Sequence, residues 1–286
     1  MDFVVQLTIN SIIAGSIYTL MALGFNLTYG ATKFFNLAHG VMATIAGYTV
    51  FYFSSQPLYI SIPAGIFAAG LVGYVLDRTI YSPLRKRKAS NMVLLVASLG
   101  VFTALESLIA LKFSSQHQSL PEIFASVPTF NLFGGSFTAI HLLIVASAAV
   151  CALGLHALLK YTLFGKAINA VSDDEEVSKI VGINTNRLMG QVFFVGSAIA
   201  GVAGILVGFD TVIIPIMGMP LLLKGIIAAI IGGLGSLWGG VLGAFLLGFV
   251  ENFGIWHISG EWKDVIAFGL LILFLIFRPQ GILKKS

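Results

Sequence analysis

Hydrophobic positions in this chain come in long unbroken runs, not in an alternation of period two, and short polar stretches separate them. The runs fall at Val4–Tyr29, Ala38–Phe53, Leu58–Leu76, Met92–Leu111, Ile140–Leu159, Met189–Phe209, Leu221–Val250 and Val265–Phe277. A membrane-spanning helix needs about 20 apolar residues, whereas a membrane barrel shows weaker alternating strands of about ten. The pattern predicts an all-α, polytopic helical membrane protein. The run from Leu221 to Val250 is anomalous, because 30 residues make about 45 Å of helix, too long for one crossing and too short for two ordinary ones.

Charge decides how that run is used. Lys33, the loop with Arg78, Arg85, Lys86, Arg87 and Lys88, the loop with Lys160, Lys166, Lys179 and Arg187, and the tail with Arg278, Lys284 and Lys285 hold 13 of the 16 basic residues. The positive-inside rule puts all four on the cytoplasmic face. A single crossing at 221–250 would leave the tail outside, so the run is expected to dip and return, turning at Gly232-Gly233-Leu234-Gly235-Ser236. That makes eight or nine membrane segments with the N-terminus outside. The first run lacks a basic n-region and continues to Tyr29, which reads as an uncleaved span and not as a signal peptide.

Composition removes the other classes. Of 286 residues 57% are hydrophobic and 10% charged, against roughly 25% charged in soluble domains. The net charge of +4 is topogenic, with no aromatic-interleaved basic patch for nucleic acid. One cysteine, Cys151, excludes a disulfide framework and a multi-thiolate metal site. Gly-x4-Gly-Lys-[Ser/Thr], His-Glu-x2-His and Gly-x-Ser-x-Gly are all missing, so the chain brings no phosphate-cradling loop and no hydrolase motif. No cofactor and no metal are expected, and any ATP hydrolysis must lie elsewhere.

Two polar interruptions stand out: Asn26-Leu27-Thr28-Tyr29-Gly30 with Asn36-Leu37-Ala38-His39-Gly40, and the glycine turn at 232–236. Paired broken segments point to an inverted repeat around a transport path, since unwound backbone at membrane depth must face protein or a water-filled cavity. Regularly spaced glycines, as in Gly235-x3-Gly239-x3-Gly243 and Ala200-x3-Gly204-x3-Gly208, read instead as close helix packing. Among isolated polar residues, His141, His156 and His257 lie near span ends and suit interfacial or packing roles, as snorkelling suits Lys224 and a wet outer position suits Glu251. Glu106, inside the fourth run, is left open between packing polarity and path lining.

The loop of about 30 residues between the fifth and sixth runs carries a helix of its own. Ser172 with Glu175 reads as a capping box, Asp173 to Glu176 suit the positive helix end, Glu175 pairs with Lys179, and Gly182 closes the C-terminus. Val177, Ile180 and Val181 make a narrow apolar stripe. Isolated helices shorter than about 12 to 15 residues are marginal in water, so this one needs either a docking surface on a partner or its own span ends and the headgroups to fold back on.

The stretch Tyr18–Gly30, Phe35-Asn36-Leu37-Ala38-His39-Gly40, Gly182-Ile183-Asn184-Thr185-Asn186-Arg187, Gly232–Ser236 and the tail Arg278-Pro279-Gln280-Gly281-Ile282-Leu283 together resemble the LivH-type permeases of bacterial branched-chain amino acid ABC transporters. The resemblance runs in order over essentially the whole chain. It implies one permease domain over 1–286 in the bacterial inner membrane. It further implies a second related permease, two cytoplasmic ATPase subunits and a periplasmic solute-binding protein as partners. It makes Asn26, Tyr29, Asn36, His39, Glu106, Gly233 and Gly235 expected path or helix-break residues, although Glu106 departs from an uncharged polar position. It makes Gly165, Lys166, Ser172, Asp174, Glu175, Val177 and Gly182 the expected ATPase coupling segment, within about 160–189. Relatives serving urea, short amides and other small solutes leave the cargo open beside aliphatic amino acids. A stand-alone ion-coupled transporter using Glu106 and Glu251 is the alternative from another class, and a membrane enzyme finds no nucleophile and base.

Overall fold

The computed structural model describes residues 2–120, 129–132, 134–256 and 259–283. Its helices are α1 (Asp2–Thr32), α2 (His39–Tyr52), α3 (Leu58–Leu76), a π-turn at Asp77–Tyr81 leading into α4 (Ser82–Lys86), and α5 (Asn91–Phe113). They continue with α6 (Ala139–Tyr161), α7 (Leu163–Asp173), α8 (Glu175–Ile180), α9 (Thr185–Asp210), α10 (Gly218–Gly232), α11 (Leu237–Gly254) and α12 (Lys263–Phe277). Seven helical segments of the described residues are long and apolar enough to cross a membrane. The short apolar helices α2 and α12, of 14 and 15 residues, bring the membrane segments to nine. The 221–250 run is two helices turning at 233–236, as expected. A small antiparallel hairpin, β1 (Phe130–Leu132) on β2 (Gly135–Phe137), was not expected; Gln6 of α1 fastens it by accepting from Ser136 N at 2.7 Å. His257 and the tail lysines Lys284 and Lys285 lie outside the described residues.

The bundle is an inverted repeat. α2 begins at 39 and α10 at 218, α3 at 58 and α11 at 237, a spacing of 179 in both cases. α1 and α9 end at 32 and 210, α3 and α11 at 76 and 254, a spacing of 178. Packing repeats as well: α1 lies on α10 and α11 as α9 lies on α2 and α3, α2 on α3 as α10 on α11, and α5 touches α2 as α12 touches α10. The two units meet through glycines. A methyl at Gly40 would come within 2.5 Å of the Gly218 carbonyl oxygen, and one at Gly218 within 2.6 Å of the Gly40 carbonyl oxygen, so the N-termini of α2 and α10 abut backbone to backbone. Gly24 of α1 meets Gly196 of α9 in the same way.

This repeat corrects the expected pairing of the breaks. The break at 33–38 corresponds to the segment 211–217 between α9 and α10, and the turn at 233–236 corresponds to the turn at 53–57. The second break escaped the sequence reading because Val212-Ile213-Ile214 and Ile216-Met217 are apolar, with only Pro215 as a marker. It is held by pairing with the loop after α5, Ile213 N donating to Gln118 O at 2.9 Å and Gln118 N to Ile213 O at 3.0 Å. The regularly spaced glycines do serve packing: Gly239 against Gly232, Gly243 against Ala228, Gly204 against Ala43.

Candidate functional site

At the first break α1 does not simply stop and α2 start. The His39 ring lies against Gly24, eight residues and about 12 Å back along α1 from Thr32, so 33–38 forms a re-entrant loop. Asn36 holds it: its Oδ1 accepts from Ala38 N at 3.1 Å and from the buried Tyr81 hydroxyl at 3.0 Å. Ser98 of α5 adds a bond by accepting from Leu37 N at 3.0 Å. Aromatic rings close the loop from both sides, Phe25, Tyr29 and Phe35 in one group and Phe34, Tyr81 and Phe193 in the other. His39 is fully buried, and neither ring nitrogen has a hydrogen-bond partner among the described residues. A buried imidazole left so is costly.

Asn26 reaches the other repeat. Its Nδ2 donates to Ser236 O and its Oδ1 accepts from Gly235 N, both at 3.0 Å, so one buried amide clamps the α10–α11 turn onto α1. Gly233 and Gly235 have φ of +113° and +80°, conformations that disfavour any side chain. The tail then seals α10, Ile282 N donating to Ile231 O at 2.8 Å and Leu283 N to Gly232 O at 2.9 Å, which satisfies carbonyls that a helix end leaves orphaned. Glu106 lies apart from these residues. It lines a pocket of about 260 Å³ with Ser115, His117 and the second break's Pro215.

The four basic segments converge on one end of the bundle, as the charge rule requires. Asn91 Nδ2 donates to Lys33 O, Ser82 bonds Asn186, and the tail sits on α10. The 160–189 segment is folded onto this end. Thr162 ends α6 and caps α7 by accepting from Gly165 N at 3.2 Å. A side chain at Gly165 would strike the Leu159 backbone, so the α6–α7 turn requires glycine there. Lys166 points outward, and Gly165, Ile168, Val171 and Ser172 point inward.

One helix was expected from Ser172 onward; two are present. The inward stripe of α7 carries the helix through Asp173, so Ser172 cannot act as a cap. Asp174 is the cap instead, accepting from Glu176 N at 2.8 Å and Val177 N at 3.0 Å, while Ser172 accepts from Lys33 Nζ at 3.1 Å. The Glu175–Lys179 pair forms at 2.8 Å, and Gly182, at φ +90°, closes α8 with Ile183 N donating to Ser178 O. Val177, Ile180 and Val181 are 52%, 83% and 70% exposed, an apolar face with nothing of the described chain on it.

One charged constellation differs from expectation. Glu251 is not a wet group but 1% exposed. Lys224 Nζ lies 2.5 Å from Glu251 Oε1 and 2.8 Å from Asp264 Oδ1, and the Tyr18 hydroxyl donates to Glu251 Oε2 at 2.7 Å. The group ties α1, α10, α11 and α12 together. No sequence spacing announces it, since Tyr18 and Glu251 are 233 positions apart. His141 and His156 keep structural roles, the first beside Asp210 at 3.0 Å and the second accepting from Trp238 Nε1 at 3.3 Å.

Residues 7–275 match the family model described as the permease component of branched-chain amino acid transport systems. The chain belongs to that family. The high-affinity branched-chain amino acid transport permease LivH of Escherichia coli K12 is 32% identical over 99% of this chain and 96% of its own length. The corresponding permease BraD of Pseudomonas aeruginosa is 32% identical over 98% and 95%. A fructose import permease, FrcC of Rhizobium meliloti, is 25% identical over 96% of this chain and 76% of its own. The solved complex of PsaBC from Streptococcus pneumoniae with a Fab matches with a TM-score of 0.51 and 14% identity over 98% of this chain and 93% of that one, which shows a shared fold. The chain is thus a multi-pass membrane permease component, and its described helices are arranged as an inverted repeat.

Proposed function

We propose that this chain is the translocating subunit of a bacterial inner-membrane ABC importer for branched-chain aliphatic amino acids. A periplasmic binding protein delivers the solute, a second related permease completes the path, and two cytoplasmic ATPase subunits drive it. The observation that carries the reading is the α7–α8 segment. It offers the acidic cap Asp174 with Glu175 and an exposed apolar face at Val177, Ile180 and Val181, and it is fastened through Ser172 to Lys33 at the end of α1. A push on α8 therefore has a covalent and hydrogen-bonded route to the 33–38 break, where Asn36 and the unpartnered His39 stand. Rocking of the two repeats about the Gly24–Gly196 and Gly40–Gly218 contacts alternates access. Asn26, Gly233 and Gly235 act by holding the α10–α11 turn, and Tyr29 by packing the break.

A second reading within the family, a more polar cargo such as urea or a short amide, is favoured by the hydrogen-bonding side chains of Ser107, Ser115 and His117 in the pocket at the second break. Vesicle transport tests both. Leucine uptake that requires ATP, the ATPase subunits and the binding protein is the expected result. Uptake by this chain alone under a proton gradient overturns the importer, and ATP-driven uptake of amides but not leucine selects the second reading.

A further inference from the structure

The inverted repeat leaves one position unfilled. α6, which joins the two units, packs along α1 and reaches α11 through Trp238 and His156. The repeat carries α1 onto α9 and α11 onto α3, so the image of α6 would lie along α9 beside α3. No described helix occupies that place. Instead two apolar pockets lie along α9 between α3 and α6, a groove of about 880 Å³ at the basic end and a smaller one of about 380 Å³ farther along, lined by Ile66, Cys151 and Phe209. At membrane depth such a groove is filled, because apolar walls facing a void lose their contacts.

Charge names the occupant. The basic end of the groove is lined by Tyr74 of α3 and by Arg187 of α9, three residues before Gly190, against which Tyr74 and Arg78 pack. Arg78 donates to the Tyr74 hydroxyl at 3.2 Å, and neither Arg78 nor Arg187 has a carboxylate within ion-pair distance among the described residues. Thr162 and Asn184 add polar groups at the same mouth. Two cations at the cytoplasmic rim of an acyl-sized apolar groove fit a headgroup phosphate with its chains running toward the membrane centre. We propose that the groove between α3, α6 and α9 is a binding site for an anionic phospholipid of the inner leaflet, held by Arg78 and Arg187. The site abuts Phe164 and Ala167 of α7, so the bound lipid forms the membrane-side wall against which that helix rests.

The full chain in nanodiscs of equal parts phosphatidylglycerol and phosphatidylcholine, then washed in detergent and analysed by native mass spectrometry, tests this. Wild type retains phosphatidylglycerol in preference. Arg78→Gln with Arg187→Gln loses the preference by roughly thirty-fold, the product of two rim charges. Arg78→Lys with Arg187→Lys, which keeps both charges, retains it and controls for folding. Equal retention of the two lipids by wild type, or an unchanged preference in the glutamine pair, overturns the proposal. So does a cysteine at Val195 in the groove that cross-links in cells to another protein's helix, which would make the groove a subunit interface.

Discussion

Lys33 Nζ donates to Ser172 Oγ across 3.1 Å, joining the residue just beyond the end of α1 to the last turn of α7. Lys33 stands at φ +57°, in the left-handed region that a lysine seldom occupies, so its position is imposed by the re-entrant loop that follows it. The pair is therefore a contact between a helix break and the α7–α8 segment proposed to meet the ATPases. Ser172→Ala is expected to leave the chain folded and to lower leucine uptake per ATP hydrolysed by about tenfold, the order of one hydrogen bond to a charged group. An unchanged ratio in reconstituted vesicles would mean that force reaches the break by another route.

The face of α8 is expected to behave as an interface and not as a support. Val177 and Ile180 touch no core, so Val177→Asp with Ile180→Asp should shift thermal stability by no more than about 0.5 kcal/mol, the usual range for surface changes. The same variant should fail to retain the ATPase subunits on purification. Retention of both subunits with normal uptake would remove α8 from the coupling path.

Much of this was legible in sequence, and what was missed has a physical pattern. Runs of about 20 apolar residues and the basic loops gave the spans and the gathering of the basic segments at one end, because bilayer thickness and charge act on composition alone. Gly233 and Gly235 betrayed the α10–α11 turn because only glycine adopts their φ freely. The second break at 211–217 carries no such punctuation; it is made by pairing with Gln118, a tertiary contact. The Ser172 cap failed for a related reason: an inward stripe on α7, buried against α1 and α9, outweighed a local capping preference. Tyr18, Lys224 and Glu251 were invisible as a group since folding alone brings them together.

Asn26 should prove to be a clamp. Its amide makes both bonds to the backbone of the α10–α11 turn from a buried position, so Asn26→Ala orphans Gly235 N, while Ser236 O keeps only its bond from Gly240 N. The expected cost is about 1–3 kcal/mol for the one donor left unpaired, read as a lower unfolding temperature in detergent. Asn26→Asp keeps the acceptor for Gly235 and should recover part of the loss. An alanine variant of wild-type stability with altered solute preference would assign Asn26 to the path surface instead.

The Lys224–Glu251 pair should show the asymmetry of buried charges. Lys224→Met leaves Glu251 buried and uncompensated, with only Tyr18 as donor, and is expected to cost about 3–5 kcal/mol. Lys224→Met with Glu251→Leu removes both charges and should restore most of that stability. The Asp264 arm is solvent-facing, so Asp264→Asn should change little. A double variant no more stable than the single one would show that the pair is required for its geometry.

Glu106 offers the sharpest test of what the path carries. It sits on α5 with no ion-pair partner among the described residues, in a pocket shared with Ser115, His117 and Pro215 of the second break. A carboxylate there attracts the ammonium group of an amino acid and does nothing for an uncharged amide. Glu106→Gln is nearly isosteric and keeps a hydrogen-bonding group, so packing is preserved and only the charge is lost. The expected result is a KM for leucine raised about tenfold, the order of one charge-assisted hydrogen bond, with kcat and amide transport unchanged. Equal leucine kinetics in the two proteins would make the carboxylate packing polarity, and a selective gain in amide uptake would shift the cargo toward the uncharged solutes of the family.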